Sequence, residues 1–139
     1  MSEQPLRVEF NSLDSDEDGV MFYRGQPFTG IAVDYWPNGQ LETEQYYELG
    51  TEYGRIRSWH DNGVLSLEAT LQAACVQGIG REWHRNGQLK EEYEVEEAIY
   101  LWKKEWDEEG VLVRDYVLTE DHPQYKWLQL SRERRQGKA

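Results

Sequence analysis

Four groups of residues have types and spacings that chemistry can use. The first is Asp14-Ser15-Asp16-Glu17-Asp18-Gly19. It sets acids at positions 1, 3 and 5 and glycine at position 6 of a calcium loop. Position 12 then falls on Gly25, where a bidentate Glu is required, and no flanking helices are indicated. The segment reads better as an acidic turn ahead of a strand, with Asp14, Asp16 and Asp18 available to a basic partner. The second group is His60 and His84. If they occupy equivalent strands of neighbouring hairpins they lie about 9.5 Å apart, too far to share a zinc ion. Covering the leucine beside each is the simpler role. The third group, Arg57 with Glu68 and Arg81 with Glu92, looks like two acid–base pairs. Both occur at the same offset in a repeating pattern, so a ladder of ion pairs accounts for them. The fourth is Cys75, the single cysteine. It cannot close an internal disulfide or hold zinc alone, and a reducing, cytoplasmic compartment suits it. No Ser-His-Asp, Cys-His, phosphate-loop or zinc spacing occurs. The expectation is a protein that is not an enzyme and carries no metal or cofactor.

What the spacings do specify is architecture. Asn-Gly recurs at Asn38-Gly39, Asn62-Gly63 and Asn86-Gly87, each 24 residues after the last, and Glu109-Gly110 follows one residue early. Three residues ahead of each Asn, or of Glu109, stands Tyr35, Trp59, Trp83 or Trp106. Three residues after it stands Leu41, Leu65, Leu89 or Leu112. Six after it stands Glu44, Glu68, Glu92 or Asp115. Eight before the first three Asn residues lie Gly30, Gly54 and Gly78, and in the fourth copy Trp102 stands seven before Glu109. A fixed period of this length marks a repeat protein whose units share their burial.

Asn-Gly between β-prone runs predicts a hairpin with a two-residue type I′ turn, both central residues at positive φ. Such a loop sets the register. Arg57 then faces Glu68, Arg81 faces Glu92 and Lys104 faces Asp115, while the first copy puts Val33 opposite Glu44. Nearer the turns, His60 faces Leu65, Trp59 faces Ser66, His84 faces Leu89, Trp83 faces Lys90 and Trp106 faces Val113. The aromatic positions form one ladder and the leucines another on the opposite face.

The expected fold is all-β: an elongated, single-layer antiparallel meander of about four hairpins. Residues 1–29 form an acidic segment and a capping strand through Phe22 and Tyr23, and residues 30–118 the repeats. Residues 119–139 form a capping helix and basic tail. Asp121-His122-Pro123 starts that helix, Trp127, Leu128 and Leu130 ride on it, and Arg132, Arg134 and Arg135 suit its C-terminus. Gly137 to Ala139 are expected to fray. A single-layer sheet leaves part of a face open, and exposed aromatic rows are binding surfaces. Tyr35, Trp59, Trp83 and Trp106, with Glu44, Glu68 and Glu92 beside them, are the candidate partner-binding residues, together with Asp14, Asp16 and Asp18.

Composition narrows the partner. The 139 residues include 27 acids against 15 bases, a formal net charge of −12. That balance repels nucleic acid and anionic membranes and attracts a basic protein. Aliphatic content is low while aromatics reach 13%, which fits a thin structure burying its rings singly. Met1-Ser2-Glu3-Gln4-Pro5 lacks the features of a signal peptide, and no apolar run approaches the roughly 20 residues that span a bilayer.

Six segments carry a family resemblance: Asp18-Gly19-Val20, Pro27-Phe28-Thr29-Gly30, Tyr35-Trp36-Pro37-Asn38-Gly39-Gln40-Leu41, Glu44-Gln45-Tyr46-Tyr47, Trp59-His60-Asp61-Asn62-Gly63 and Trp83-His84-Arg85-Asn86-Gly87-Gln88-Leu89. Across residues 18 to 115 the chain resembles the MORN-repeat-variant proteins, in particular the YwqK family of toxin–antitoxin antitoxins. The resemblance implies an antitoxin or immunity protein that neutralises a cognate toxin by direct binding, occluding its active site or substrate cleft. The charge adds that a basic, nucleic-acid-acting toxin suits such a partner. A MORN-type protein–protein scaffold is the alternative. The irregular stretches Leu71 to Gln77 and Glu94 to Tyr100, and the tail after Tyr116, are natural places for individual specificity.

Overall fold

The computed structural model of the chain describes residues 6–72 and 75–137. The expectations for Met1–Pro5 and for the last two residues lie outside these. Strand β1 (Arg7–Glu9) is followed by a 3-10 turn (Phe10–Ser12) and by β2 (Asp14–Ser15), β3 (Met21–Tyr23) and β4 (Gln26–Pro27). Then come β5 (Gly30–Tyr35), β6 (Leu41–Glu48), β7 (Thr51–Trp59), β8 (Leu65–Gln72), β9 (Cys75–Val76), β10 (Gly78–Trp83), β11 (Leu89–Glu96), β12 (Ile99–Trp106) and β13 (Leu112–Val117). Helix α1 (Pro123–Arg135) ends the fold. The main sheet has the order β1-β5-β6-β7-β8-β10-β11-β12-β13, with β9 paired to β8. Every neighbouring pair from β5 to β13 is antiparallel. The all-β meander of four hairpins with a C-terminal helix is therefore the observed architecture.

The turns differ from the expected type. At each Asn-Gly only the glycine has positive φ (Gly39 +87°, Gly63 +88°, Gly87 +88°), as does Gly110 (+86°). In the second copy Gly63 N donates to His60 O at 3.0 Å and His60 N to Val64 O at 2.8 Å. This is a three-residue loop, a type I turn followed by a left-handed glycine. His60 therefore meets Val64, and Trp59 meets Leu65 rather than Ser66. A bulge between Ser58 and Trp59 absorbs the difference, and by Arg57↔Glu68 the register is the expected one. The same correction pairs Tyr35 with Leu41, Trp83 with Leu89 and Trp106 with Leu112. Directly opposed residues share a face, so aromatics and leucines are one set of pairs, not ladders on opposite faces.

Type I′ turns occur instead at the other ends of the strands. Leu49 and Gly50 (+49° and +83°) join β6 to β7, and Glu97 and Ala98 (+52° and +63°) join β11 to β12.

The C-terminal helix caps the fold as expected, while the N-terminal cap is built differently. The N-terminal strand of the main sheet is β1, paired parallel to β5. Phe22 and Tyr23 lie instead in a separate three-stranded sheet, β2-β3-β4. From it Met21 and Tyr23 pack on a cluster of Val8, Phe28, Ala32 and Tyr47. Phe28 packs against Tyr47 with ring centroids 5.8 Å apart and planes tilted by 51°. Helix α1 begins at the predicted place, where His122 Nδ1 accepts from Gln124 N at 3.1 Å ahead of Pro123. Of its three apolar residues only Leu128 is buried (0% exposed), while Trp127 and Leu130 face outward. Arg132 and Arg135 clamp Glu96 at the β11–β12 turn. Their hydrogen bonds, Arg132's first, outweigh burial and hold the Glu96 carboxyl at about 2.

Candidate partner-binding face

Strand alternation separates the sheet into two faces. One carries Ala32, Gln45, Ile56 and Ala69 in register, and includes the N-terminal core. The other carries a continuous cross-strand row: Val33, Glu44, Arg57, Glu68, Arg81, Glu92, Lys104 and Asp115. From Glu44 onward acid and base alternate across seven strands, which is the arrangement that stabilises paired strands.

The pairs are not uniform. Arg57 reaches back to Glu44 of the preceding hairpin at 2.8 Å, and Arg7 meets the other oxygen of that carboxylate at 2.6 Å. Burial raises the Glu44 pKa, but its bonds to Arg57 and Arg7 prevail and the net shift is downward. Glu44 is only 7% exposed, so it works as a strut and offers little to a partner. Arg81 and Glu92 close the expected within-hairpin pair at 2.7 Å.

The aromatic candidates line this face beside the charged row. Tyr35 is exposed, and Trp59, Trp83 and Trp106 are half-buried. The Arg57 guanidinium lies 5.4 Å from the Trp59 ring centre. Trp102, placed in the fourth copy by the repeat but not among the expected contacts, belongs to the same face. It pairs with Glu94 in register and donates Nε1–H to the Glu94 carboxylate at 3.0 Å. Its place two residues before Lys104 on the same strand is the signal that assigns it to this face.

The asparagines have a second task that their spacing alone does not show. Asn38, Asn62 and Asn86 accept the backbone N–H two residues on, within their own turns, at 3.0, 3.1 and 3.0 Å. Their Nδ2 groups donate to the next turn, at Asp61 O (2.8 Å), Arg85 O (3.0 Å) and Glu108 O (2.8 Å). A parallel set comes from the position two residues earlier. Trp36 Nε1 donates to Trp59 O at 2.9 Å, and His60 and His84 place Nε2 2.8 Å from Trp83 O and Trp106 O. A carbonyl only accepts, so Nε2 is the protonated nitrogen. The histidines thus tie repeat to repeat. The turns form a hydrogen-bonded spine that fixes the spacing of the aromatic row.

The acidic segment is one more such turn. Gly19 N donates to Asp16 O and Asp16 N to Val20 O, both at 3.1 Å, while Asp16 Oδ1 accepts from Asp18 N and Val20 N. Asp107 does the same for Glu109 and Val111. Asp14, Asp16 and Asp18 are exposed, and the β2-β3-β4 sheet places them apart from the aromatic row. Among the described residues no acidic, His and Cys group is arranged to hold a metal ion.

Two comparisons with known proteins bear on this arrangement. The MORN repeat variant model matches residues 28–49 and 76–97, each spanning one whole hairpin, β5–β6 and β10–β11. The immunity protein YwqK of Bacillus subtilis (strain 168) is 50% identical over 121 residues, which cover 87% of this chain and 76% of that protein. No solved structure matches.

Proposed function

The chain belongs to the YwqK family of MORN-repeat-variant proteins, and on that premise we propose that it is an immunity protein that binds a cognate toxin and occludes its active site or substrate cleft. The observation that carries this reading is the 50% identity to an immunity protein across most of both chains. The rest supports it. Half-buried indoles in a row offer large, rigid anchors of the kind that dominate interfaces. Their spacing is held by the turn spine, so little ordering is left to do on binding.

The net charge of −12 favours a basic target, and the cleft of a nucleic-acid-acting enzyme is basic. Steering by that charge makes association fast at low salt and steeply slower as salt rises. The exposed free thiol of Cys75 suits a reducing, cytoplasmic setting. No helix among the described residues is long and apolar enough to cross a membrane.

A toxin gene is expected directly upstream of this one, and the test is co-expression with its product. The expected result is a tight one-to-one complex in which the toxin's activity is lost, with an association rate that falls with salt. Separate elution of the two proteins, with the toxin fully active, overturns the reading.

A further inference from the structure

The two edges of the main sheet are unlike. At one edge β1 has three residues, Val8 is buried, and Arg7 is pinned to Glu44. The other edge, β13, runs six residues with no strand on its outer side among the described residues. Val111 (55%), Leu112 (46%), Val113 (62%) and Val117 (62%) are all exposed there. Helix α1 follows β13 without covering these side chains. Leu118 N donates inward to Leu101 O at 2.8 Å. By the alternation of an antiparallel ladder, the N–H and C=O groups of Val113, Asp115 and Val117 therefore point outward. Proteins ordinarily blunt such an edge.

The repeat shows what the edge is shaped to receive. The second strand of each earlier hairpin accepts a base-bearing strand from the next one: Glu44 meets Arg57, Glu68 meets Arg81, and Glu92 meets Lys104. Strand β13 offers Asp115 at the equivalent position, and the alternation of charge stops on an acid. We propose that the β13 edge is where the partner protein docks, by adding an extended antiparallel strand with a Lys or Arg opposite Asp115 and apolar residues opposite Val113 and Val117. Strand addition of this kind draws affinity from main-chain hydrogen bonds and specificity from alternate side chains. The inference rests on the binding role above and adds a place and a strand chemistry to it.

The native strand docked on β8 supplies a probe. In β10, Arg81 lies between Ile79 and Trp83, two residues from each. A fluorescein-labelled peptide copying Gly78–His84 is titrated into the full-length protein and followed by anisotropy. Saturable binding is expected, with slowed hydrogen exchange at the amides of 113, 115 and 117. D115K should weaken it about ten-fold, and a peptide carrying Arg81→Glu should recover binding to D115K. Val117→Pro removes an outward N–H while sparing the ladder to β12. It should abolish binding without changing the melting curve.

The proposal is overturned by no saturable binding at millimolar peptide, or by equal binding to wild type, D115K and V117P. It is also overturned by a wild-type dimer that V117P dissolves, since a second copy would then own the edge. A toxin captured equally well by V117P sinks the edge and leaves the immunity role standing. Absence of any toxin complex sinks that role, and the peptide titration still reads the edge.

Discussion

Removing Asn62 should measure how strongly one repeat holds the next. Its Oδ1 accepts Val64 N–H inside the turn, and its Nδ2 donates to Arg85 O of the following turn. Both bonds lie at an exposed site, where one hydrogen bond nets about 0.5–1.5 kcal/mol. Asn62→Ala loses both and should cost about 2 kcal/mol. Asn62→Asp keeps the acceptor but sets an oxygen against the Arg85 carbonyl, so it should cost about 1 kcal/mol through the inter-repeat bond alone. Urea unfolding followed by tryptophan fluorescence reads both values, and Asn86→Ala should match Asn62→Ala. A stabilising role for the spine is refuted if Asn62→Ala is as stable as wild type. It is also refuted if Asn62→Asp and Asn62→Ala cost the same, because then the two bonds are not separable contributions.

Three further outcomes follow from the caps and turns. Leu128→Ala empties the one fully buried site of α1 and should cost about 2–5 kcal/mol, seen as early proteolysis of the C-terminal helix. Glu96 has a folded pKa of about 2 against an ordinary 4.5. Its contribution is therefore complete above pH 4.5 and is lost as pH falls from 4.5 towards 2. Hydrogen exchange in α1 should accelerate over that window in wild type, and Glu96→Gln should remove the dependence. Ala98 sits at φ +63°, a conformation that costs an L-residue roughly 1–2 kcal/mol. Ala98→Gly should raise the midpoint of urea unfolding, and a lower midpoint would contradict the turn geometry.

The periodic part of the fold was legible because strand positions repeat their chemistry. Glu68, Glu92 and Asp115 each needed a base opposite, and Arg57, Arg81 and Lys104 stand there. The turn type was not, since Asn-Gly serves both a two-residue loop and the last two residues of a longer one. Pro37 was the clue: its fixed φ suits the first central position of a type I turn, which moves the turn one residue back.

The inter-repeat bonds of Asn62 and His60 were hidden because each partner is a backbone carbonyl 23 residues away, and a carbonyl has no sequence identity to read. Three residues pairing in parallel as β1 are too few to show a period. The aromatic row stands on one face as its spacing implies, whereas the burial of Glu44 and its bond to Arg7, outside the repeat, could not be read from the period. The two Leu49-Gly50 and Glu97-Ala98 turns were also unreadable, since neither pair carries the usual composition of a type I′ turn.

The most direct test of the account is growth protection by a folded protein with a flattened face. Cells expressing the cognate toxin receive either wild type or Trp59→Ala/Trp83→Ala/Trp106→Ala, after circular dichroism shows the variant keeps its sheet. The account predicts that wild type restores growth and the triple variant does not. Full protection by the folded triple variant would contradict it.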